Sequence, residues 1–380
     1  MTSTVLPRVL SISSDKLLIA SGADGAPYMI AAQTLRHACT CGDCIDEKSG
    51  QRRSDVSRWP PKLTIASAKF DPSDLLHVRF KEDSHRTTVN IGDFKTDPFF
   101  NSASARNELW DASLDPEAVT VSWQRLNEPL EHHALLERLA HFGFAIVSGC
   151  PAQPGFITRL APYVGRIKES RVGPLFDVRF DPSPSNLAFS ADELFLHTDN
   201  PYRNPVPGWQ ILHCIVNTSQ GGDSYVVDGF ACADHLKRNY PEYYASLTET
   251  LVTFAFRSTD AHFSSRRPVI ALDDDGHLVQ VSFNDRSLRP VLGAVGEVER
   301  FYAAYRRYRR LLADPAYQVR FKLQPGQAFI VNNFRVLHAR GAFPATAARH
   351  LQGAYLDSDW VNSNFLVAHH KHTGDHGYVA

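Results

Sequence analysis

The chain lacks an excess of charge of either sign. Its 380 residues include 40 lysine or arginine residues and 41 aspartate or glutamate residues, and its pI is close to 7.0. A protein that binds nucleic acid or an anionic membrane by bulk electrostatic attraction needs a strongly basic balance. We therefore expect neither a nucleic-acid partner nor a membrane partner, and a small molecule is the expected ligand.

One basic stretch, Arg306–Arg310, interleaves arginine with tyrosine and resembles a nucleic-acid patch. It lies in a segment, 297–312, in which Phe301, Tyr305 and Tyr308 recur at helical spacing on one face. The arginines then form a solvated face near the end of a helix, where the helix dipole favours cations. The pattern therefore predicts a packed amphipathic helix.

Long apolar runs are also missing. No stretch approaches the roughly 20 apolar residues that cross a bilayer. The first residues lack the basic start, the continuous apolar stretch and the cleavage site of a signal peptide. We expect a cytoplasmic protein. Hydrophobic residues make up 43% of the chain, which is enough to bury the two cores that this length favours.

Cysteine is scarce, with six residues in the chain. Three of them, Cys39, Cys41 and Cys44, cluster on a predicted turn in which Gly42 gives backbone freedom. Such a triplet commonly holds a tetrahedral zinc ion, and a fourth protein ligand would make the site structural. The candidates for that ligand are His77 and His85 in the following strand-like stretch, while His37 is adjacent in sequence but poorly placed to close the ring. A chance cluster or a labile disulfide is the alternative.

The order of the predicted elements indicates two domains. A small β-rich module spans 1–100, a segment with little apolar periodicity forms a linker at 101–116, and a larger domain follows at 117–380. The predicted helices span 129–142, 156–167 and 297–312. The principal predicted strands span 75–80, 87–91, 144–147, 208–216, 225–227, 277–283, 328–339 and 349–356. The last histidines, His369, His370, His372 and His376, resemble a loose metal-binding tail, but they are interpreted as part of a flexible terminus.

Three side chains form a candidate metal site. His197 and Asp199 belong to an H-x-D motif at the end of a predicted strand, where residues i and i+2 point to the same face. His338 lies in another predicted strand and supplies a second imidazole. Two histidines and one carboxylate on one side of a metal suit non-heme Fe(II), because open positions remain for a cosubstrate and O2.

Arg349 follows His338 by eleven residues and opens the predicted strand 349–356. Its planar guanidinium can bind a carboxylate through two parallel hydrogen bonds. With a facial iron site in the same domain, this indicates 2-oxoglutarate as the cosubstrate, since its other end can chelate iron. Each motif is weak alone, but their order and strand context together favour iron binding over a core histidine and a surface arginine.

The residues resemble one known family. The cysteine turn, the segment 194–199 and the blocks 212–214, 221–224, 227–230 and 349–355 follow the order seen in the gamma-butyrobetaine dioxygenase and trimethyllysine dioxygenase family. The resemblance implies a mainly β chain with flanking helices, in which a small zinc-binding module precedes a double-stranded β-helix, or jelly roll. It implies Fe(II) bound by His197, Asp199 and His338, and 2-oxoglutarate bound by Arg349. It also selects His85 as the fourth zinc ligand beside Cys39, Cys41 and Cys44.

The resemblance further implies a substrate pocket in which aromatic rings surround a trimethylammonium group, because ring faces attract a cation that donates no hydrogen bonds. The positions in this chain are Phe176, Phe189 and Tyr355, while Val172 and Asn200 stand where the family usually has aromatic residues. Asn186 and Asn284 match positions that hold the substrate carboxylate. Phe176 and Phe189 as ordinary core residues are the alternative.

The expected activity is hydroxylation of an unactivated C–H bond of a small betaine-like acid, with release of succinate and CO2. Gamma-butyrobetaine, the precursor in carnitine biosynthesis, is the first candidate substrate. A sister enzyme could instead act on another quaternary ammonium compound, a phosphonate analogue or an uncharged metabolite, by hydroxylation, desaturation or ring-forming oxidation. A zinc-stabilised binding protein that has lost catalysis is the alternative from a different class. Relatives suggest a homodimer.

Overall fold

The structure, a computed structural model, describes residues 8–20, 27–91, 107–171, 173–180 and 190–373. These residues form two compact units, one up to residue 91 and one from residue 107 onward. The predicted linker 101–116 is described only from residue 107, and in that part Trp110 is buried against Phe144 of the second unit. Within the described ranges, no helix has both the length and the apolar character to cross a membrane.

The first unit contains two antiparallel sheets of three strands and one short helix. The strands are β1 (Arg8–Ile12), β2 (Lys16–Ala20), β3 (Pro27–Ala31), β4 (Ile65–Phe70), β5 (Leu75–Phe80) and β6 (Arg86–Asn90), and the helix is α1 (Ala32–His37). They pair as β1-β2-β3 and β4-β5-β6. Alternate residues of β5 are buried, among them Leu76, Val78 and Phe80, because successive side chains of a strand point to opposite faces. The cysteine turn connects α1 to this sheet.

The second unit is built mainly from strands, with helices between them. Its strands are β7 (Thr120–Ser122), β8 (Phe144–Ser148), β9 (Ile167–Lys168), β10 (Phe176–Arg179), β11 (Leu194–His197), β12 (Trp209–Asn217), β13 (Ser224–Asp228), β14 (Val252–Arg257), β15 (His262–Arg267), β16 (Ile270–Leu272), β17 (Leu278–Val281), β18 (Gln318–Phe321), β19 (Ala328–Asn332), β20 (Val336–Arg340) and β21 (Arg349–Leu356). Its helices are α2 (Pro129–Phe142), α3 (Ile157–Leu160), α4 (Gly229–Asn239), α5 (Pro241–Glu249), α6 (Val295–Ala313) and α7 (Ser358–Thr373).

Two sheets of this unit enclose a shared core. The larger has the order β10-β21-β12-β19-β8-β7, with β9 paired to β21, and the smaller has the order β11-β20-β13-β18. Phe329 and Val331 of the larger sheet pack with Val226 and Val336 of the smaller one. The neighbouring Ile330 points the other way, into the core beneath the helices. This alternation gives the jelly-roll arrangement that the resemblance predicted, and the mixed α+β class is confirmed.

Helices cover the outer face of each sheet. Helices α2, α3 and α7 pack on the larger sheet through residues such as Leu136 and Phe365, and α4, α5 and α6 pack on the smaller sheet through residues such as Phe301. Helix α2 begins at Pro129 and ends before Gly143, whose φ of 73° suits a residue without a side chain. The aromatic face of α6 is buried as predicted.

Three predicted elements differ from the structure. The run 328–339, predicted as one strand, is two strands in different sheets, because Asn333 and Arg335 form buried turn interactions between them. The helix predicted at 156–167 ends as an α-helix at Leu160 and continues as a 3-10 turn, since Pro162 follows. His369 and His372 belong to α7 and not to a flexible terminus, whereas His376 lies outside the described residues.

Candidate functional site

The predicted metal triad is brought together by strand pairing. In the smaller sheet β11 pairs antiparallel with β20, and His197 stands directly opposite His338, with ring centroids 4.5 Å apart. Asp199 follows two residues after His197, and its Oδ1 lies 3.3 Å from His197 Nε2 while its Oδ2 lies 3.9 Å from His338 Nε2. One ligand atom from each residue fits within 4.8 Å of the others. His197 and His338 point to the same face of the sheet, because directly opposite residues of an antiparallel pair do so, and Val336, two residues before His338, packs on that face in the core between the two sheets.

The electrostatics of the two histidines suit metal ligation. His197 donates Nδ1–H to the carbonyl oxygen of Phe195 at 2.7 Å, so its Nε2 faces the triad and offers a lone pair to a metal when the ring is neutral. Burial, with the charge of His197 as a smaller contribution, lowers the pKa of His338 to about 3. His338 is therefore neutral at pH 7, as a metal ligand must be. Its buried Nδ1 has no hydrogen-bond partner within the described ranges.

Asp199 is held by donors that leave one oxygen available. Gln210 Nε2 and the Tyr355 hydroxyl both donate to Asp199 Oδ2, at 2.9 Å and 2.8 Å. Burial alone would raise the pKa of Asp199, but the hydrogen bond with His197, the charges of both histidines and the Tyr355 hydroxyl hold that pKa well below its usual range. The ionised carboxylate thus presents Oδ1 toward His197. Two imidazole nitrogens and one oriented carboxylate oxygen fit Fe(II) as a donor set.

Asn333 fixes the backbone of the aspartate. Its Oδ1 accepts from the Asp199 N–H at 2.6 Å, and its Nδ2 donates to the carbonyl oxygens of Asp199 and Pro207, at 2.9 Å and 2.7 Å. The side chain is fully buried, so these bonds are shielded from water. The turn between β19 and β20 therefore positions the H-x-D segment of β11.

Arg349 is a buried cation that has no hydrogen-bond or ion-pair partner among the described residues. It begins β21 on the inner face of the larger sheet, with 8% of its surface exposed. Within the part of the chain that the structure describes, it forms no hydrogen bond or ion pair, and its Nε is buried without a partner. Burial, with the charge of Arg340 as a smaller contribution, lowers its pKa to about 10. A buried guanidinium of this kind gains from a carboxylate ligand.

One cavity of about 680 Å³ joins these groups. His197, Asp199, His338 and Arg349 all line it, and its size is typical of small-molecule sites. Six basic side chains line the cavity against three acidic ones, so it favours ligands with negative charge. The basic residues are Lys168, Arg171, Arg203, Arg286, Arg340 and Arg349. The acidic residues are Glu169, Asp199 and Asp260.

Two of the predicted cage residues meet in this cavity. The rings of Phe176 and Tyr355 are 5.2 Å apart and tilted by 35°. Phe176 stands opposite Gly353 in the pairing of β10 with β21, and a Cβ built on Gly353 would come within 2.3 Å of the Phe176 ring. The absence of a side chain at Gly353 therefore lets the Phe176 ring lie over the strand beside Tyr355.

Asn200, at a predicted cage position, forms hydrogen bonds with two tyrosines. Its Nδ2 donates to the Tyr355 hydroxyl oxygen at 3.0 Å, and its Oδ1 accepts from the Tyr202 hydroxyl at 2.6 Å. Asn200 has a φ of 53°, a left-handed conformation that asparagine tolerates better than most residues. The Tyr202 ring stacks on Phe256 at 5.2 Å, which brings a further aromatic pair to the cavity wall.

The remaining predicted substrate residues divide into two groups. Asn284 lines the cavity and is 4% exposed; its Nδ2 donates to the carbonyl oxygen of Thr198 at 3.0 Å, and its buried Oδ1 has no partner among the described residues. Asn186, Phe189 and Val172 lie outside the described residues.

Several site residues were missed in the sequence. Gln210 and Asn333 position Asp199, and Arg286 and Arg340 add positive charge to the cavity. The sequence could have indicated Gln210 as a site residue, because it is a polar residue in a nearly continuous apolar strand. No comparable signal marks Arg286, which follows the strand β17 in an irregular segment.

A second cluster lies in the first unit. His85 Nε2 is 3.1 Å from Cys39 Sγ, 3.7 Å from Cys44 Sγ and 3.8 Å from Cys41 Sγ, so three thiols and one imidazole converge. The other histidine candidates are engaged elsewhere. His77 bonds to Asp71 and Thr88, and His37 packs its ring edge-on to Trp59. The Cys3His geometry suggests a zinc site with four protein ligands.

Comparisons with known proteins identify sequence relatives over most of the chain. A family model described as taurine catabolism dioxygenase TauD, TfdA family, matches residues 105–355. A gamma-butyrobetaine dioxygenase of Pseudomonas sp. (strain AK-1) is 33% identical over 358 residues, covering 91% of this chain and 92% of that protein. A trimethyllysine dioxygenase of Meyerozyma guilliermondii is 27% identical over 358 residues, covering 86% of each.

Among solved structures, asparagine oxygenase in complex with Fe(II), 2S,3S-3-hydroxyasparagine and succinate matches with a TM-score of 0.47 and 16% identity, covering 63% of this chain and 93% of that chain. The family resemblance predicted from the motifs is confirmed by the sequence relatives.

Proposed function

The chain belongs to the TauD, TfdA family of dioxygenases, and from this premise we propose that it hydroxylates a small betaine-like acid, with gamma-butyrobetaine as the first candidate substrate. The family makes the chain an Fe(II)- and 2-oxoglutarate-dependent dioxygenase that acts on a small molecule. The substrate itself is our proposal, because relatives at about 33% identity leave room for a change of specificity.

One observation carries the proposal. The aromatic pair Phe176 and Tyr355 lines the same cavity as the metal triad, and Asn284 lines that cavity too. A ring pair attracts a quaternary ammonium group through its negative faces, which is worth about 0.5–2 kcal/mol for each well-placed ring. The excess of basic side chains in the cavity suits the acidic tail of the same substrate as well as 2-oxoglutarate.

The roles of the triad and of Arg349 follow from their contacts. His197, Asp199 and His338 would hold Fe(II), which together with 2-oxoglutarate and O2 supplies the oxidising power for insertion of a hydroxyl group, with release of succinate and CO2. Arg349 would bind the distal carboxylate of 2-oxoglutarate and so neutralise a buried charge.

Tyr355 has two roles in this proposal. Its hydroxyl fixes Asp199 Oδ2, and its ring forms one wall of the ammonium pocket. A single rigid side chain would therefore keep the substrate in a fixed position relative to the metal ligands, which is the main contribution of a protein to such a reaction.

A second candidate is a phosphonate analogue of the betaine, and Arg286 favours it. Arg286 lines the cavity two residues after Asn284. The triad residues His197, Asp199 and His338 line the same cavity. A phosphonate carries more charge and one more oxygen than a carboxylate, so it gains more from an additional guanidinium.

Four further statements belong to the same proposal. The Cys3His cluster would bind a structural zinc ion. The enzyme would act in carnitine biosynthesis, in the cytoplasm, and as a homodimer. Zinc content by atomic emission and molar mass by light scattering test the first and the last of these directly.

The first experiment measures succinate release by protein loaded anaerobically with Fe(II), with and without gamma-butyrobetaine. We expect substrate-stimulated succinate release that is lost in His197→Ala and retained in His262→Ala, a matched change of an exposed histidine on β15. Normal turnover in His197→Ala would contradict the assignment of the triad as the Fe(II) ligands. No turnover with any of a panel of candidate acids would favour the binding-protein alternative.

The second experiment tests the substrate class. The panel contains gamma-butyrobetaine, its phosphonate analogue and a neutral analogue in which a tert-butyl group replaces trimethylammonium. Phe176→Leu keeps the apolar volume but removes the ring, so we expect KM for the ammonium compounds to rise about 5- to 30-fold, from about 1–2 kcal/mol of lost cation–π attraction. If 2-oxoglutarate turnover is tightly coupled only to a compound without a cation, the proposal of a betaine-like substrate is rejected.

If 2-oxoglutarate turnover is coupled mainly to oxidation of the phosphonate, the second candidate is favoured. In that case Arg286→Met should reduce turnover of the phosphonate more strongly than turnover of the carboxylate. An equal effect on both compounds would leave Arg286 without a role in choosing between them.

A further inference from the structure

Helices α2 and α7 carry a group of histidines that takes no part in the catalytic cavity. His133 and Glu137 are one turn apart on α2, and His369 and His372 lie on one side of α7. None of these four residues lines the cavity of the triad. They therefore need an explanation apart from the dioxygenase reaction.

The ligand atoms of three of these residues converge. Glu137 Oε1 lies 3.5 Å from His133 Nε2 and 3.4 Å from His369 Nδ1, and all three atoms fit within 4.8 Å of one another. The Nε2 of His133 is buried and has no hydrogen-bond partner within the described ranges. The ring of His372 stacks on that of His133 at 4.3 Å, so another imidazole lies at the edge of the group.

The surroundings hold this arrangement in place. The other oxygen of the carboxylate, Glu137 Oε2, is 3.1 Å from His141 Nε2, which orients Oε1 toward the two facing imidazoles. Below the group, Leu136 of α2 and Phe365 of α7 belong to one buried core, and the Phe365 ring stacks on His369 at 5.7 Å. The two helices are thus fixed by packing before any ion binds, which reduces the entropy cost of forming a site.

We propose that His133, Glu137 and His369 form a second zinc-type metal site, which fastens the C-terminal helix α7 onto α2. Two imidazoles and one carboxylate are a donor set that binds Zn2+ well, and a fourth position remains for His372 or water. The site would be structural, because it connects two helices and opens onto no substrate cavity.

Zinc binding to the full chain tests this proposal. Protein freed of metal by chelation is dialysed against micromolar Zn2+, and bound zinc per chain is measured by atomic emission. Wild type should retain one more zinc equivalent than the double variant His133→Ala/His369→Ala. The sites of the Cys3His cluster and of the triad are present in both proteins, so they cancel in the difference. His262→Ala, an exposed histidine outside any cluster, should match wild type.

Two further measurements keep the test decisive. Glu137→Gln retains the size of the side chain and should weaken the additional site at least tenfold in a zinc titration, even if the double variant is poorly folded. Added Zn2+ should raise the unfolding temperature of wild type more than that of Glu137→Gln. Equal zinc content in wild type and both variants would overturn the proposal and leave the group as a network of ion pairs between histidines and Glu137.

Discussion

Replacing Arg349 by methionine should make the unliganded protein more stable and the 2-oxoglutarate complex weaker. Methionine fills a similar volume without charge. Burial lowers the pKa of Arg349 to about 10, well below the ordinary value of arginine, and since one pKa unit corresponds to about 1.4 kcal/mol, its charge destabilises the folded state by roughly 3 kcal/mol at pH 7. That cost is fully present below pH 10 and declines as the pH rises through the folded-state pKa, because the folded protein then releases the proton more readily than the unfolded chain.

The expected result has two opposite parts. Without ligand, Arg349→Met should raise the unfolding temperature by several degrees, given about 2–4 °C per kcal/mol for a domain of this size. With ligand, removing one member of a buried charge pair should cost at least about 2 kcal/mol, so 2-oxoglutarate should bind roughly 30-fold or more weakly. Ligand-induced stabilisation should therefore be large in wild type and small in the variant.

Thermal unfolding with and without 2-oxoglutarate and Mn(II) measures both parts, and the KM for 2-oxoglutarate gives an independent value. Arg179→Met is the matched control, because Arg179 lies on the neighbouring strand β10 with 57% of its side chain exposed. A variant that is less stable than wild type and yet binds 2-oxoglutarate normally would refute the reasoning, since Arg349 would then be a structural residue with a partner inside the chain. Repeating the unliganded comparison at pH 11, above the folded-state pKa of Arg349, should reduce the stability difference by about 1 kcal/mol.

Three other predictions follow from named contacts. Tyr355→Phe removes a donor to Asp199 but keeps the ring, so Fe(II) binding should weaken roughly 10- to 100-fold in a metal titration; unchanged affinity would show that the hydroxyl does not orient the carboxylate. Arg335→Met leaves Asp228 as an unpaired buried charge and should cost about 3–5 kcal/mol in denaturant unfolding; the double variant with Asp228→Asn should recover part of this loss, and no recovery would contradict the pairing. Cys39→Ser should lower zinc content by one equivalent per chain, and an unchanged zinc content would rule out the Cys3His site.

The order of motifs and their periodicity were enough to predict the chemistry of the second unit. His197, Asp199 and His338 were recognised because an H-x-D motif at a strand end and a distant histidine strand are a rare combination with a clear chemical purpose. The strand 349–356 was predicted with the bounds that the structure shows. Alternating apolar residues report which face of a strand is buried, so local sequence is sufficient for such assignments.

The split of the predicted strand 328–339 depended on tertiary contacts. Val331 and Val336 belong to different sheets, and the turn between them is stabilised by Asn333 and Arg335, whose partners lie more than a hundred residues earlier in the chain. The run 328–339 is apolar on both sides of Asn332 and Asn333, so it is predicted as one strand. Buried side chains with distant partners override the local pattern.

The sequence by itself determined which residue types were available to bind a metal, a carboxylate and a cation, because these are properties of side-chain chemistry. The tertiary structure decided which of them meet: it placed Gln210 and Tyr355 on one oxygen of Asp199, left Arg349 buried without a partner among the described residues, and joined His133 of α2 to His369 of α7. The physical reason is that hydrogen bonds and ion pairs act over only a few ångströms, so they depend on strand register and helix packing, which a linear sequence does not state.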